Sequence, residues 1–121
     1  MAGGRGVGQR TRWPLIEDTA AVLGAAVGCS RPIAESGWLD SPGYQVGLSG
    51  TSVAPDLYLA VGISGAPQHL AGISAARSVV AINSDASADI FKRADIGVVG
   101  DLHEVLPAFI EQVRRLKETP A

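Results

Sequence analysis

The sequence has few of the residues used for disulfide or metal chemistry. It contains one cysteine, Cys29, and two histidines, His69 and His103, in 121 residues. A single cysteine cannot form an internal disulfide, and without a Cys/His cluster there is no basis for a zinc site. We therefore predict no bound metal, and we expect Cys29 to be a small buried residue in a reducing compartment.

Charge is also sparse, and neither sign dominates. Charged residues make up 18% of the chain and the formal net charge is −2, so no basic stripe is available for nucleic acid. No apolar run approaches the ~20 residues of a membrane helix, and the basic N-terminus lacks the apolar stretch of a secretory signal. Apolar residues make up 46%, which is typical of a folded domain, and we expect one domain over 1–121 without membrane insertion.

Short apolar runs predict strands that are covered on both faces. They span 57–63, 78–82 and 95–99, with weaker candidates at 26–29 and 44–47. Because helical patterns separate the runs, we predict an α/β fold. The expected architecture is a Rossmann-like three-layer domain with a mostly parallel sheet and helices on both faces.

Periodicity and capping residues predict the helices between these strands. They are 15–26, 31–36 with a left-handed cap at Gly37, 67–70 with Pro67 in its first turn, and 87–94 with Ser87 as N-cap.

The last helix has the clearest signal. Asp101 and Glu104 form an N-terminal capping pattern, and an apolar stripe runs from Leu102 to Leu116. Pro107 interrupts the stripe and predicts a kink or a restarted first turn.

Small and polar residues follow each predicted strand, where parallel sheets bind ligands. Small residues allow close backbone approach, and hydroxyls with backbone N–H groups suit phosphates. The pattern indicates a dinucleotide-like site, although the same residue types also serve as ordinary turns and caps. The segments are Ser30–Arg31, Gly47–Thr51, Ser64–His69, Asn83–Asp85 and Gly100–Leu102.

An ordered set of motifs runs through these segments. They are GGRG (3–6), GCSR (28–31), SGW (36–38), YQVGLSG (44–50), VAPDLYLAVGISGAPQHLAG (53–72), VVAINSD (79–85), IFKRADIGVVGDL (90–102) and EVLP (104–107). From Gly3 to about residue 116, the chain resembles the C-terminal domain of the electron transfer flavoprotein alpha subunit. AVGISGAPQHLAG is the most specific block.

This resemblance implies an FAD-binding electron-transfer module, an electron carrier rather than an enzyme. It implies a heterodimer with the beta subunit, donors such as acyl-CoA or other flavin dehydrogenases, and a quinone oxidoreductase as acceptor. The compartment would be the cytoplasm of a prokaryote or the mitochondrial matrix of a eukaryote. The family has a preceding N-terminal domain and a strand leading into GGRG. We expect both to be missing here, which would leave a sheet edge near Gly3.

The resemblance also implies which residues bind FAD. The adenosine and phosphate end would contact Arg5, Asn83, Asp101 and Leu102. The pyrophosphate and ribityl portion would contact Ser30, Ser64, Gly65, Ala66, Pro67 and Gln68. Val46, Gly47, Leu48 and Ser49 would run beside the flavin ring.

Three side chains would tune the flavin electrostatically. Reduced flavin carries negative charge around N1 and the C2 carbonyl, so nearby donors or cations raise its potential. His69 is expected to donate to the C2 carbonyl, Ser49 to donate to N5, and Arg31 to lie near the ring.

Some positions depart from the family pattern. Leu48 replaces the usual Gln, Ser49 the usual Thr, Thr51 the usual Lys, and Asp89 a common proline. FAD binding is expected to survive these changes, with an altered redox potential.

Two alternatives stay open. The first is a nucleotide-binding regulatory module that has lost flavin redox function. The second is a hydrolase or deacetylase, which would have to use His69 or His103 as its base.

Overall fold

Five strands form one parallel sheet in the computed structural model, which describes residues 1–39, 44–47 and 53–118. The order across the sheet is β2-β1-β3-β4-β5, and every pairing is parallel. The predicted α/β class is confirmed. The strands are β1 (Ala2–Gly3), β2 (Gly28–Cys29), β3 (Leu57–Val61), β4 (Ser78–Asn83) and β5 (Ile96–Val99).

Helices cover both faces of this sheet. They are α1 (Pro14–Leu23), α2 (Arg31–Glu35), α3 (Pro67–Gly72), α4 (Ile90–Arg93) and α5 (Leu102–Glu118), with short 3₁₀ turns at Arg5–Val7 and Arg10–Arg12. No helix in the described ranges is both long and apolar enough to cross a bilayer.

Successive residues of β3 belong to opposite cores. Tyr58 packs in the core that contains Ile73, at the end of α3, and Ile90 of α4. Leu59 packs in the other core, with Leu106 of α5. Since both faces are buried, the strand reads as one continuous apolar run. The predicted three-layer arrangement is confirmed.

The expectation that the first strand is missing was wrong. Ala2–Gly3 pairs with Gly28–Cys29 on one side and with Ala60–Val61 on the other, so Gly3 lies inside the sheet. A Cβ at Gly3 would lie 2.6 Å from the ring of Trp13, so glycine lets α1 pack directly on this strand. Two small residues carry no alternating pattern, which is why the strand was missed.

The segment 44–47 is not a full strand. It makes one bridge, between Gln45 and Cys29, and the Val46 N–H donates to the Cys29 carbonyl at 2.9 Å. Gly47 then turns away with φ of +144°. Cys29 itself is fully buried, as expected.

The start of α4 also differs from the prediction. The helix begins at Ile90, and Ser87 does not cap it. Instead, Asp85 Oδ1 accepts hydrogen bonds from the Ser87 backbone N–H at 2.9 Å and from its hydroxyl at 2.7 Å. This local turn competes with the helix for the same backbone groups.

Helix α5 runs without interruption through Pro107, so the predicted restart does not occur. The fully buried Leu106 anchors the helix beside the lost backbone hydrogen bond. At the start of α5, Asp101 Oδ1 accepts from the His103 N–H at 2.9 Å, which confirms the predicted cap.

Candidate functional site

A cavity of about 880 Å³ opens at the carboxyl ends of the strands. It is formed by the segments that follow β1 to β4, together with Gln45–Gly47. Its volume lies in the upper part of the range of roughly 300–1,000 Å³ for small-molecule and cofactor sites. This is the edge at which parallel sheets bind ligands.

Most of the predicted site residues meet at this cavity. Those that line it are Arg5, Ser30, Arg31, Val46, Gly47, Ser64, Gly65, Ala66, Pro67, Gln68, His69 and Asn83.

The other four predicted residues fall into two pairs. Leu48 and Ser49 lie outside the described residues, as does Thr51. Asp101 caps α5, and Leu102 is 5% exposed in the core beneath that helix. The predicted FAD contacts of these residues remain predictions.

Asp85, at the end of the predicted segment Asn83–Asp85, also lines the cavity. Sequence reasoning missed the rest of the lining, namely Gly6, Pro32, Gln45, Gly62, Ile63, Ser87, Ala88 and Asp89. Gly62 had a recognisable signal, because it is a glycine directly after β3. Its φ is +66°, and its carbonyl accepts from the Gly6 N–H at 2.9 Å. A Cβ there would lie 2.9 Å from Gly6 Cα, so the two backbones require glycine to touch.

His69 lies on one wall and is 6% exposed. Its Nε2 is 2.8 Å from the Tyr58 hydroxyl, whereas its Nδ1 is buried and has no hydrogen-bond partner in residues 1–39, 44–47 and 53–118. Burial lowers the pKa of His69 below its usual value of 6.5, so the ring is neutral at pH 7. His103 does not line the cavity.

Ser30 presents a second unpartnered group. It precedes α2 and is 7% exposed, and its hydroxyl is buried without a hydrogen bond to the helix or to any other residue that the structure describes. A serine before a helix normally binds a backbone N–H of the first turn. Buried polar groups are rarely left without partners, so Ser30 Oγ and His69 Nδ1 are available to bind a molecule in the cavity.

The loops around the cavity are held by specific contacts. Asn83 Nδ2 donates to the Ile63 carbonyl at 3.0 Å, and Asn83 Oδ1 accepts from the Asp85 N–H at 2.9 Å. Gly65 has φ of +88°, and a Cβ there would lie 2.4 Å from the Ile90 nitrogen. These contacts fix the loops after β3 and β4 against each other and against α4.

Charge is distributed unevenly around the cavity. Arg31 Nε lies 2.7 Å from Glu35 Oε1, and both side chains are 61% exposed. At the opposite rim, the side-chain and backbone hydrogen bonds from Ser87 lower the pKa of Asp85, which therefore stays ionised.

The residues present fit FAD. The cavity offers room for a dinucleotide, and two buried polar atoms on its walls have no partner in the described part of the chain. Two arginines that line the cavity, Arg5 and Arg31, supply positive charge for the anionic parts of FAD.

Comparison with known proteins agrees with this geometry. Residues 1–74 match the family model described as the electron transfer flavoprotein FAD-binding domain. The chain is 50% identical over 117 residues to the electron transfer flavoprotein subunit alpha of Thermoanaerobacterium thermosaccharolyticum, covering 97% of this chain and 35% of that protein. It is 51% identical over 116 residues to the Bacillus subtilis protein of the same name, covering 96% and 35%.

A eukaryotic relative gives a similar result. The mitochondrial electron transfer flavoprotein subunit alpha of Dictyostelium discoideum is 47% identical over 117 residues, covering 97% of this chain and 33% of that protein. The chain thus spans about a third of the length of these relatives.

Proposed function

This chain belongs to the electron transfer flavoprotein alpha family, and we propose that its strand-end cavity holds FAD for an electron carrier. The cofactor of the matched domain is FAD, as the sequence predicted. The observation that most supports the proposal is the pair of buried, unpartnered atoms on the cavity wall, Ser30 Oγ and His69 Nδ1. A bound cofactor would supply their missing hydrogen-bond partners.

In this proposal, different walls hold different parts of FAD. Ser30 and the loop Ser64–Gln68 hold the pyrophosphate and ribityl portion, while Arg5 and Asn83 hold the adenosine end. Val46 and Gly47 lie beside the flavin ring and lead into Leu48 and Ser49. FAD supplies the electron-transfer chemistry, and the protein supplies binding, orientation and electrostatics.

Two side chains would set the electrostatics at the ring. His69 is a neutral hydrogen-bond donor or acceptor at pH 7, since burial lowers its pKa. Arg31 is held only by an exposed ion pair with Glu35, which is worth about 0–1 kcal/mol. Its guanidinium can therefore turn toward the cofactor at little cost.

The partners belong to the same proposal. We propose a heterodimer with a beta subunit, reduction by acyl-CoA or other flavin dehydrogenases, and oxidation by a quinone oxidoreductase. In a prokaryote this would take place in the cytoplasm, and in a eukaryote in the mitochondrial matrix. The relatives that support this role are about three times as long as the chain.

The visible spectrum of the purified chain tests the proposal, with and without a beta subunit. We expect flavin absorbance, and release of FAD rather than FMN on denaturation. A colourless chain that takes up no added FAD even with a beta subunit would refute it.

Calorimetry with FAD, NAD, NADP and AMP tests the regulatory alternative in the same preparation. Tight binding of a nicotinamide or adenine nucleotide without FAD binding would favour that alternative.

A further inference from the structure

Tyr58 forms a buried pair with His69 behind the cavity wall. It is the second residue of β3 and is 3% exposed, and its hydroxyl lies 2.8 Å from His69 Nε2. The ring centroids are 6.0 Å apart, with an interplanar angle of 58°. Tyr58 does not itself line the cavity, so any effect on a bound molecule must pass through His69.

The surroundings of the phenol determine the direction of this hydrogen bond. Within the described residues, the Tyr58 hydroxyl has no hydrogen bond other than the one to His69. If Nε2 donated to the phenol oxygen, the phenol proton would be buried without an acceptor. An unsatisfied buried donor costs far more than a satisfied one contributes. When the hydroxyl donates instead, the donor left without a partner is Nδ1–H of His69. His69 lines the cavity, where solvent or a bound molecule can accept from it, whereas Tyr58 does not line the cavity. The hydroxyl therefore donates, and Nε2 accepts.

This direction fixes the tautomer of the histidine. A neutral imidazole carries one proton, so an accepting Nε2 places that proton on Nδ1. His69 Nδ1 is the ring nitrogen that is buried and unpartnered. The pair thus leaves an N–H donor that has no acceptor among the described residues.

We propose that Tyr58 is a positioning residue that holds His69 in the Nδ1–H tautomer, so that this wall of the cavity presents a neutral hydrogen-bond donor. The identity of the acceptor rests on the proposed function, in which it is an oxygen of bound FAD. The tautomer itself follows from the Tyr58–His69 pair and from the position of His69 on the cavity wall. Without the hydroxyl, the ring could place its proton on either nitrogen, and an Nδ1 lone pair would repel a carbonyl oxygen.

The histidine content of the chain makes the tautomer directly measurable. Only His69 and His103 contribute ring signals to a long-range ¹H–¹⁵N correlation spectrum of the ¹⁵N-histidine-labelled chain. We would record it at pH 7.5 on the protein as purified and again after FAD removal. His69 should show the Nδ1–H pattern in both samples, with His103 as the internal reference.

Tyr58→Phe removes the hydroxyl and keeps the ring in the core. We expect the ratio of Nδ1–H to Nε2–H tautomers of His69 to fall about five-fold or more, the factor that corresponds to one net hydrogen bond. Tyr44→Phe is the matched control, because Tyr44 is the other tyrosine and is 42% exposed. An Nε2–H tautomer in the unmodified chain, or an unchanged ratio in Tyr58→Phe, would overturn the proposal.

A potentiometric titration of FAD-loaded protein tests the consequence for the cofactor. Tyr58→Phe should lower the midpoint potential, and it should have no further effect in a His69→Ala background, since the hydroxyl acts through the ring. An equal shift in both backgrounds would overturn the positioning role. If the chain holds no FAD at all, the proposed function fails, while the tautomer measurement still decides the proposal for Tyr58.

Discussion

Gly72→Ala should displace the wall of the cavity that lies beside the proposed flavin ring. Gly72 is the buried last residue of α3, and a Cβ there would lie 2.5 Å from both Cα and N of Gly47. The Gly72 carbonyl also accepts from the Val53 N–H at 2.9 Å. The backbone at Gly72 therefore supports the chain on both sides of residues 48–52.

The contact distances set the size of the effect. Ordinary contact at a Cβ begins at 3.4 Å, so one backbone must move by about 0.9 Å from the present 2.5 Å. Overpacking of this kind costs ~1–3 kcal/mol, whereas replacing a helical glycine by alanine recovers at most ~1 kcal/mol. We expect a net loss of about 1–2 kcal/mol in the free energy of unfolding. FAD affinity should fall roughly tenfold, which corresponds to ~1.4 kcal/mol of binding free energy.

Gly24→Ala is the matched control. Gly24 ends α1 with φ of +66°, and a Cβ there meets nothing within 4 Å. The left-handed backbone alone costs an alanine about 1–2 kcal/mol, a loss of stability similar to that expected for Gly72→Ala. Urea unfolding and FAD titration on both variants separate stability from binding. Equal FAD affinity in the two variants would refute the assignment of Val46 and Gly47 to the flavin wall.

Three further predictions concern single side chains. Because burial lowers the folded-state pKa of His69 below 6.5, the unfolded chain binds an extra proton below that pH. The free energy of unfolding of the FAD-free chain should therefore decrease as the pH falls through 6.5, by up to ~1.4 kcal/mol per pH unit. Urea unfolding at several pH values should show a weaker dependence of this free energy on pH in His69→Gln, but not in His103→Gln. Leu106→Ala should cost ~2–5 kcal/mol in urea unfolding, against less than ~0.5 kcal/mol for the 74%-exposed Leu116→Ala. Ser30→Ala removes a buried hydroxyl that has no partner among the residues described, so it should weaken FAD binding about five-fold in a fluorescence titration while leaving the urea midpoint unchanged or higher.

The strands could be predicted from sequence wherever burial on both faces made them continuous apolar runs. The prediction of β3 at 57–63 overran the observed Leu57–Val61, because Gly62 and Ile63 continue the apolar run after the pairing has ended. In contrast, β1 consists of Ala2 and Gly3 and is defined only by its two neighbours in the sheet. No local pattern carries that information.

Local competition explains the error at α4. Asp85 and Ser87 are both good capping residues, and the sequence alone did not show which would cap the helix. In the structure, Asp85 binds Ser87 itself, and the helix starts only at Ile90.

The site was predictable to the extent that the strand-end rule applies. Loops after β2, β3 and β4 reach the cavity as expected, since parallel strands all end at one edge. Tyr58 was not identified, because a tyrosine inside an apolar strand looks like any core aromatic residue. Its link to His69 joins residues eleven positions apart across a strand and a helix, and only the packing of α3 on β3 brings them together.

The charges around the cavity favour one orientation of a bound dinucleotide. Asp85 stays ionised, since hydrogen bonds from Ser87 lower its pKa, and an ionised carboxylate repels a pyrophosphate but accepts hydrogen bonds from ribose hydroxyls. Arg31 lies on the α2 side, next to the unpartnered hydroxyl of Ser30, where an anionic group is favoured. From the polarity of the lining we expect the sugar of the adenosine near Asn83 and Asp85, and the more anionic part of FAD near α2. The family resemblance implied the same orientation for Asn83 and Ser30. The charges of the ionised Asp85 and of Arg31 beside Ser30 favour this orientation independently of the resemblance.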